Sequence, residues 1–156
     1  MALDALYLDT ILEHYRNPRN HGALDPCDGK ARGHNPNCGD DLTVYVRLAG
    51  DIVEEVTFRG KGCAISLSAA SMMTEAVKGK SPAEVAEVMA AFRGLMGTED
   101  AGGAEEGTEE STPGTDLGDL TVLEGVKQYP ARIKCATLCW EALEEALEEA
   151  ARDVTE

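Results

Sequence analysis

The stretch LTVYVRLAGDIVEEVTFR, residues 42–59, decides the predicted fold. Apolar and polar residues alternate from Leu42 to Leu48, which is typical of a strand with one buried face. The turn Ala49-Gly50-Asp51 follows, and residues 52–59 are rich in the Val, Ile, Thr and Phe that favour strands. The stretch therefore predicts an antiparallel hairpin, to which residues 30–34 are expected to add a third, edge strand.

Helical spacing of apolar residues predicts helices on both sides of this hairpin. SPAE, residues 81–84, has the Ser, Pro and Glu of a capped helix start, and Gly94 and Gly97 are expected to end that helix. We expect Gly60 to Gly62 to break the second strand, and Pro130 to start a loop. The other predicted helices cover residues 3–15, 64–78, 120–127 and 134–152. This order predicts an α+β fold, a small antiparallel three-stranded sheet packed against about four to five helices.

The acidity of the chain is concentrated in two segments. The 156 residues carry a formal charge of −15, with eight acids and no base in residues 98–119, and seven acids with one base in residues 141–156. The rest has 14 acids and 13 bases. We therefore predict one domain over residues 1–156, with an acidic, flexible insertion at about 98–119.

Charge and hydropathy also exclude several classes of function. A strongly acidic chain is poorly suited to bind bare phosphate backbone, so we expect no nucleic-acid partner. No apolar run approaches the roughly 20 residues of a membrane span, and the N-terminal residues lack the basic start of a signal peptide. The sequence therefore predicts a cytoplasmic protein that has no membrane partner.

Three of the five cysteines lie where functional groups usually lie, at the ends of predicted elements. Cys38 and Asp40 share a turn of Pro and Gly residues, Cys63 opens a helix, and Cys135 follows Arg132 and Lys134. Three thiols and one carboxylate match a tetrahedral zinc site, and the cations Lys61, Arg132 and Lys134 would offset its charge. The Asp oxygen is harder than the thiolates, so it is expected to be the ligand that exchanges most easily.

The other cysteines and the histidines are expected to be structural or solvated. Cys139, beside Leu138 and Trp140, is predicted to be a buried core thiol. Cys27, between acids on a turn, is predicted to be an unreactive surface thiol. The three histidines lack metal-ligand spacing, although His34 lies four residues before Cys38.

Five motifs are distributed along the chain: YLD (7–9), HYRNPRN (14–20), NPNCGD (35–40), GKGCAIS (60–66) and PARIKCATL (130–138). Together they resemble the U-type iron–sulfur cluster assembly proteins, the IscU/NifU N-terminal-like family with its SufE/NifU-like fold. The similarity covers nearly the whole chain. Lys134 stands where the scaffold branch has His, and residues 98–119 fit an insertion typical of the SufU-type branch.

The resemblance implies iron–sulfur cluster biogenesis, with zinc held by Cys38, Asp40, Cys63 and Cys135. It implies a zinc-dependent sulfurtransferase that takes persulfide sulfur from a SufS-type cysteine desulfurase and passes it to downstream iron–sulfur assembly proteins. Cys38 is then the sulfur acceptor, and Arg132 supports it by steering the persulfide or a partner residue.

Three alternatives stay open at this point. Cys38, Cys63 and Cys135 could instead hold iron or a [2Fe–2S] cluster, which would make the protein a scaffold that assembles the cluster and hands it on. The metal could serve only to support the fold. A cysteine hydrolase that pairs Cys38 with His34 is the weakest alternative, because no oxyanion motif accompanies the pair.

Overall fold

The computed structural model describes residues 5–36, 39–96 and 118–155. Four α-helices and three strands are present in this part of the chain, and a 3₁₀ helix covers Gly118–Gln128. In chain order the α-helices and strands are α1 (Ala5–Arg16), β1 (Gly29–Asn35), β2 (Asp40–Ala49), β3 (Ile52–Lys61), α2 (Ala64–Val77), α3 (Pro82–Met96) and α4 (Pro130–Thr155). The predicted α+β class, with its three-stranded antiparallel sheet, is confirmed.

The sheet has the order β1-β2-β3, and both strand pairs are antiparallel. The predicted edge strand is confirmed, because Arg32 of β1 pairs with Thr43 of β2. Leu42, Val44 and Val46 are completely buried on one face of β2, as their alternation predicts. The polar residues between them lie on the opposite face, which the helices do not cover.

Helix α4 packs across the inner face of β1 and β2. The two elements approach so closely at Gly29 that a Cβ there would collide with the backbone oxygen of Ala146 and lie 2.9 Å from the backbone nitrogen of Ala150. Trp140 of α4 is fully buried and stacks on Phe92 of α3, with ring centroids 5.5 Å apart. The core is therefore a layer of helices against one face of a small sheet.

Helix α2 has a buried side that includes hydroxyl groups as well as predicted apolar residues. Ala69, Met72 and Met73 are buried as predicted, but Ile65 and Ala76 are only partly buried. Two of the buried hydroxyls bond within the helix: Thr74 Oγ1 donates to the Ser71 carbonyl at 2.7 Å, and Ser68 Oγ donates to the Ile65 carbonyl at 3.2 Å. Such bonds let Ser and Thr occupy a core position without an unpaired polar atom.

The segment after α1 holds that helix against α2. Ser71 Oγ accepts a hydrogen bond from the backbone N–H of Arg19 at 2.8 Å and lies 2.7 Å from His14 Nδ1. The Asn20 amide donates to Thr74 Oγ1 at 3.0 Å. His14 is therefore a buried, hydrogen-bonded histidine, in agreement with its predicted structural role.

The start of α3 has the predicted capping box. Ser81 Oγ accepts a hydrogen bond from the Glu84 backbone N–H at 3.2 Å, and Glu84 Oε1 accepts one from the Ser81 backbone N–H at 3.0 Å. The predicted end of this helix at Gly94 is wrong, because α3 continues through Gly94 to Met96. A single exposed glycine lowers helix stability by about 1 kcal/mol, which the buried Phe92 and Met96 outweigh.

Two further boundaries differ from the prediction. Gly60 and Lys61 continue β3 instead of breaking it, because Gly60 has a φ of 142° and passes against the backbone of Asp41 where a Cβ would not fit. Pro130 does not start a loop but is the first residue of α4. Proline suits the first residue of a helix, because its fixed φ is helical and an N–H at that position would have no partner within the helix.

The predicted insertion lies almost entirely outside the described residues. Its last two positions, 118 and 119, begin the 3₁₀ helix, which agrees with the short helix predicted over residues 120–127. The single-domain organisation of residues 1–156 and the flexibility of the insertion stay predictions. Among the described helices, none combines the length and apolar character that crossing a bilayer requires.

Replacing Gly29 and Gly94 by Ala should have opposite effects on stability. Gly29→Ala should lower the free energy of unfolding by about 1–3 kcal/mol, because its Cβ meets the α4 backbone. Gly94→Ala should raise it by about 0.5–1 kcal/mol, because the position is helical and nothing lies within 4 Å of the added Cβ. Urea unfolding followed by the fluorescence of the single Trp checks both, and equal changes would contradict the close packing of β1 on α4.

Candidate metal centre

Asp40 is the first residue of β2 and turns its carboxylate to the inner side of the sheet. The residue is completely buried. Its Oδ1 accepts hydrogen bonds from the Cys63 backbone N–H at 3.0 Å and from Ser66 Oγ at 3.2 Å. Both donors belong to the start of α2, so the carboxylate links the sheet to that helix.

The second oxygen of this carboxylate is unusual. Asp40 Oδ2 is buried and has no hydrogen-bond partner among the described residues. Leaving a buried acceptor unsatisfied costs about 1–3 kcal/mol, and more for a charged group. An oxygen in this state indicates a position that a cation would occupy.

Cys63 is the N-cap residue of α2, and its Sγ accepts a hydrogen bond from the Ser66 backbone N–H at 3.4 Å. This hydrogen bond holds the Cys63 sulfur at the N-terminal end of α2. The preceding Gly62 leaves room for the carboxylate, because a Cβ there would lie 2.7 Å from Asp40 Oδ1 and would collide with Ser66 Oγ. The close approach of Asp40 to the helix start therefore requires glycine at this position.

Cys135, on the second turn of α4, is the third member of the group that contains Asp40 and Cys63. The residue is fully buried, and Arg132 Nη1 lies 3.9 Å from its Sγ in a hydrogen bond. The Arg132 side chain is exposed, as are Lys61 and Lys134. The three cations predicted to offset the charge of the site thus include one, Arg132, that contacts the Cys135 sulfur directly.

The structure brings three of the four predicted ligands together. One ligand atom each from Asp40, Cys63 and Cys135 lies within 4.8 Å of the others. Two sulfurs and one oxygen are donors that zinc binds, at about 2.0–2.3 Å in a tetrahedral arrangement. The orphaned Asp40 oxygen and this donor set fit a divalent metal, although their role as ligands stays a prediction.

The fourth predicted ligand, Cys38, lies outside the described residues, so its predicted role as acceptor and ligand is not tested here. Its described neighbours Asn35 and Asp40 pair across β1 and β2. The connection between these strands, residues 36–39, therefore begins and ends beside the carboxylate of the site.

The next residue along the chain, Asp41, points to the other side of the sheet and serves a different purpose. Its carboxylate accepts two hydrogen bonds from the Arg32 guanidinium, at 2.7 and 2.6 Å. This bidentate contact holds the pKa of Asp41 below its usual range. Adjacent aspartates thus face opposite sides of β2, one towards the thiols and one towards solvent.

Cys139 and His14 agree with their predicted structural roles, whereas the predicted lack of reactivity of Cys27 stays a prediction. Cys139 is completely buried, and burial raises the pKa of its thiol far above the ordinary value. Cys27 is half-buried and His34 is exposed, and neither belongs to the group formed by Asp40, Cys63 and Cys135. Ser66 is the residue that sequence reasoning missed. Its place in the first turn of α2, three residues after the N-cap Cys63, is the signal that could have indicated its role.

The family model of the NifU-like N-terminal domain matches residues 6–136. The chain belongs to this family. The family prediction made from the motifs is therefore confirmed, and the fold agrees with it.

Individual members of the NifU-like N-terminal domain family are similar over nearly their whole length. The zinc-dependent sulfurtransferase SufU of Bacillus subtilis is 43% identical over 93% of this chain and 91% of its own. The iron–sulfur cluster assembly scaffold protein IscU of Streptococcus pyogenes is 37% identical over 96% of this chain and 87% of its own. The solved structure of FiSufU from Fervidobacterium islandicum superposes with a TM-score of 0.73 at 31% identity, covering 89% of this chain and 94% of that one.

Ser66→Ala should weaken zinc binding without removing a ligand. It deletes one of the two hydrogen bonds to Asp40 Oδ1, and loss of such supporting bonds typically lowers metal affinity 10–100-fold. Ser68→Ala is the matched control, because Ser68 is buried in the same helix but bonds only the Ile65 carbonyl. Competition with a chromophoric chelator measures both affinities, and equal affinities would contradict a supporting role for Ser66.

Cys139 should resist alkylation while the protein is folded. Its thiol is buried and protonated at neutral pH because of its raised pKa, whereas alkylation requires an accessible thiolate. Iodoacetamide followed by peptide mass spectrometry should detect no modification of Cys139 in native protein and complete modification in urea. Modification of Cys139 in native protein at the rate measured in urea would contradict its burial.

Proposed function

We propose that this protein acts in iron–sulfur cluster biogenesis as a zinc-dependent sulfur acceptor that takes persulfide sulfur from a SufS-type cysteine desulfurase. The observation that carries the proposal is the buried, unpartnered Oδ2 of Asp40 beside the thiols of Cys63 and Cys135. The chain is also 43% identical to a protein named as a zinc-dependent sulfurtransferase, which supports the same conclusion. The location that suits this function is the cytoplasm.

We assign zinc to Cys38, Asp40, Cys63 and Cys135. When bound, zinc supplies the charge that keeps thiol ligands deprotonated at neutral pH. Ser66 and the Cys63 backbone N–H hold Asp40 Oδ1, which keeps the carboxylate in the group that it forms with Cys63 and Cys135. The start of α2 supports the negative charge on Cys63, and Arg132 supports that on Cys135.

The transfer itself is a thiol–persulfide exchange. The thiolate of Cys38 attacks the terminal sulfur of the desulfurase persulfide and forms a new S–S bond. The S–S bond of the donor breaks, and the donor cysteine leaves as a thiolate. No oxidant is needed, because one S–S bond replaces another. The exposed Arg132 side chain is placed to attract the incoming anionic persulfide, and downstream iron–sulfur assembly proteins would then receive the sulfur.

A second candidate is the scaffold on which a [2Fe–2S] cluster is assembled and handed on. The 37% identity to a relative named as a scaffold protein favours it, and the same thiols could hold the cluster as cargo. Lys134, in place of the His typical of scaffolds, favours sulfur acceptance. Absorption spectra after anaerobic reconstitution distinguish the two, because only a scaffold should retain a stoichiometric, coloured cluster.

Cys38→Ala should reduce desulfurase turnover from the stimulated rate to the basal rate, because the acceptor thiol is lost. Cys27→Ala is the matched control and should leave stimulation within about twofold, since Cys27 lies outside the group of ligand atoms.

Metal analysis of freshly purified protein should find zinc near one equivalent, and removing it with a chelator should abolish stimulation. Full stimulation by Cys38→Ala, or by the metal-free protein, would overturn the proposal.

A further inference from the structure

The face of the sheet that the helices leave open carries a group of cations near the metal centre. Arg32 and Arg59 flank Thr43 from the two neighbouring strands, so their backbones lie about 10 Å apart. Lys61 pairs with Asp41 in the next row, and Lys30 pairs with Tyr45 in the row behind. We name this surface the basic sheet face and define it by Lys30, Arg32, Arg59 and Lys61.

The positive charge of this face is largely uncompensated. Within the described residues, Asp41 pairs with Arg32, and Glu149 Oε1 of α4 accepts a hydrogen bond from the Lys30 backbone N–H at 3.0 Å. Lys30, Arg59 and Lys61 form no ion pair within residues 5–36, 39–96 and 118–155. Nearer the turn between β2 and β3, Arg47 instead forms an ion pair with Glu54. A concentrated positive patch is unexpected in a chain whose net charge is −15.

The face is also concave. A depression of about 660 Å³ lies over β2, with Thr43 and Tyr45 among its lining residues and Arg32, Arg59 and Lys61 around it. Most of these side chains are exposed. A wide, open depression of this kind is suited to the surface of another protein.

The basic sheet face and the metal centre share the same end of the sheet. Asp41 follows the buried Asp40 directly, and Lys61 precedes Cys63 by two residues. A protein that delivers sulfur to the centre must therefore cover or border the row that contains Asp41 and Lys61. Several cations beside the metal centre would attract and orient a partner that carries acidic groups.

We propose that the basic sheet face is the docking surface for an acidic patch of the cysteine desulfurase that delivers sulfur to the centre. This inference rests on the proposed function. The local charge governs the encounter, because at physiological salt exposed charges more than about 8 Å apart are largely screened.

A nucleic acid is a poorer occupant of the same face. Its phosphate charges continue along the whole polymer, so a bound duplex would extend beyond these four cations onto a chain that has 29 acids. A protein partner, in contrast, can carry acidic groups that are confined to the region facing these cations. The shape and the charge of the face thus favour a protein surface.

Charge reversal tests the proposal on the full chain. Arg59→Glu with Lys61→Glu should raise the dissociation constant for a SufS-type desulfurase at least 10-fold at 50 mM NaCl, and the effect should shrink at 300 mM. The control is Lys78→Glu with Lys80→Glu, which makes the same charge change at the far end of α2, about 20 Å from Cys63, and should stay within twofold. Isothermal titration calorimetry measures the constants, and zinc content and Trp fluorescence confirm that each variant is folded.

The outcomes separate this inference from the function on which it rests. Equal weakening by the two double variants would overturn the docking surface while sulfur acceptance by wild-type protein stands. Wild-type protein that accepts no sulfur would overturn the proposed function itself. If the double variant Arg59→Glu with Lys61→Glu loses zinc, the neutral double variant Arg59→Gln with Lys61→Gln is measured instead. It should raise the dissociation constant by a smaller factor, and an unchanged dissociation constant would overturn the proposal. Salt-sensitive binding of a duplex oligonucleotide to this face, without binding of the desulfurase, would also overturn it.

Discussion

The burial of the Asp40 carboxylate between the sheet and the start of α2 couples the fold to the site. Taking a charged carboxylate out of water is costly unless its oxygens are paired. The Cys63 N–H and Ser66 hydroxyl pair with one oxygen, while the other is left without a donor among the described residues. The arrangement holds the start of β2 against the start of α2 and keeps Asp40 in one group with Cys63 and Cys135. The strand, the helix start and Gly62 are all constrained by this one group.

The alternation along β2 divides the chemistry of the protein between two faces. Asp40 continues the inward series of Leu42 and Val44, so it lies with the core and the thiols. Asp41 continues the outward series of Thr43 and Tyr45, so it lies with Arg32 and the basic sheet face. Because strand side chains alternate, a metal centre and a charged surface can be built from consecutive residues. The same geometry keeps the two carboxylates from repelling each other within one site.

Local patterns predicted the elements well, and their errors have local causes. The hairpin follows from period-two alternation, and the start of α3 follows from its capping box. Gly60 and Pro130 were misread because glycine and proline interrupt elements on average, whereas here Gly60 permits close strand packing and Pro130 occupies a helix start. Ser66 was missed because a serine at a helix start is usually a cap. Its second bond, to Asp40, depends on a strand more than twenty residues away in sequence.

The sequence by itself determined the family, the α+β class and the identity of the candidate ligands, because these depend on residue types and on their short-range spacing. The tertiary structure alone decided that Asp40, Cys63 and Cys135 converge, since they belong to a strand and two helices that are distant along the chain. It also decided which Asp40 oxygen is free and that Lys30, Arg32, Arg59 and Lys61 share one face. Strand register and helix packing are long-range properties, so the same cations that look scattered in sequence form a single surface once β1, β2 and β3 pair.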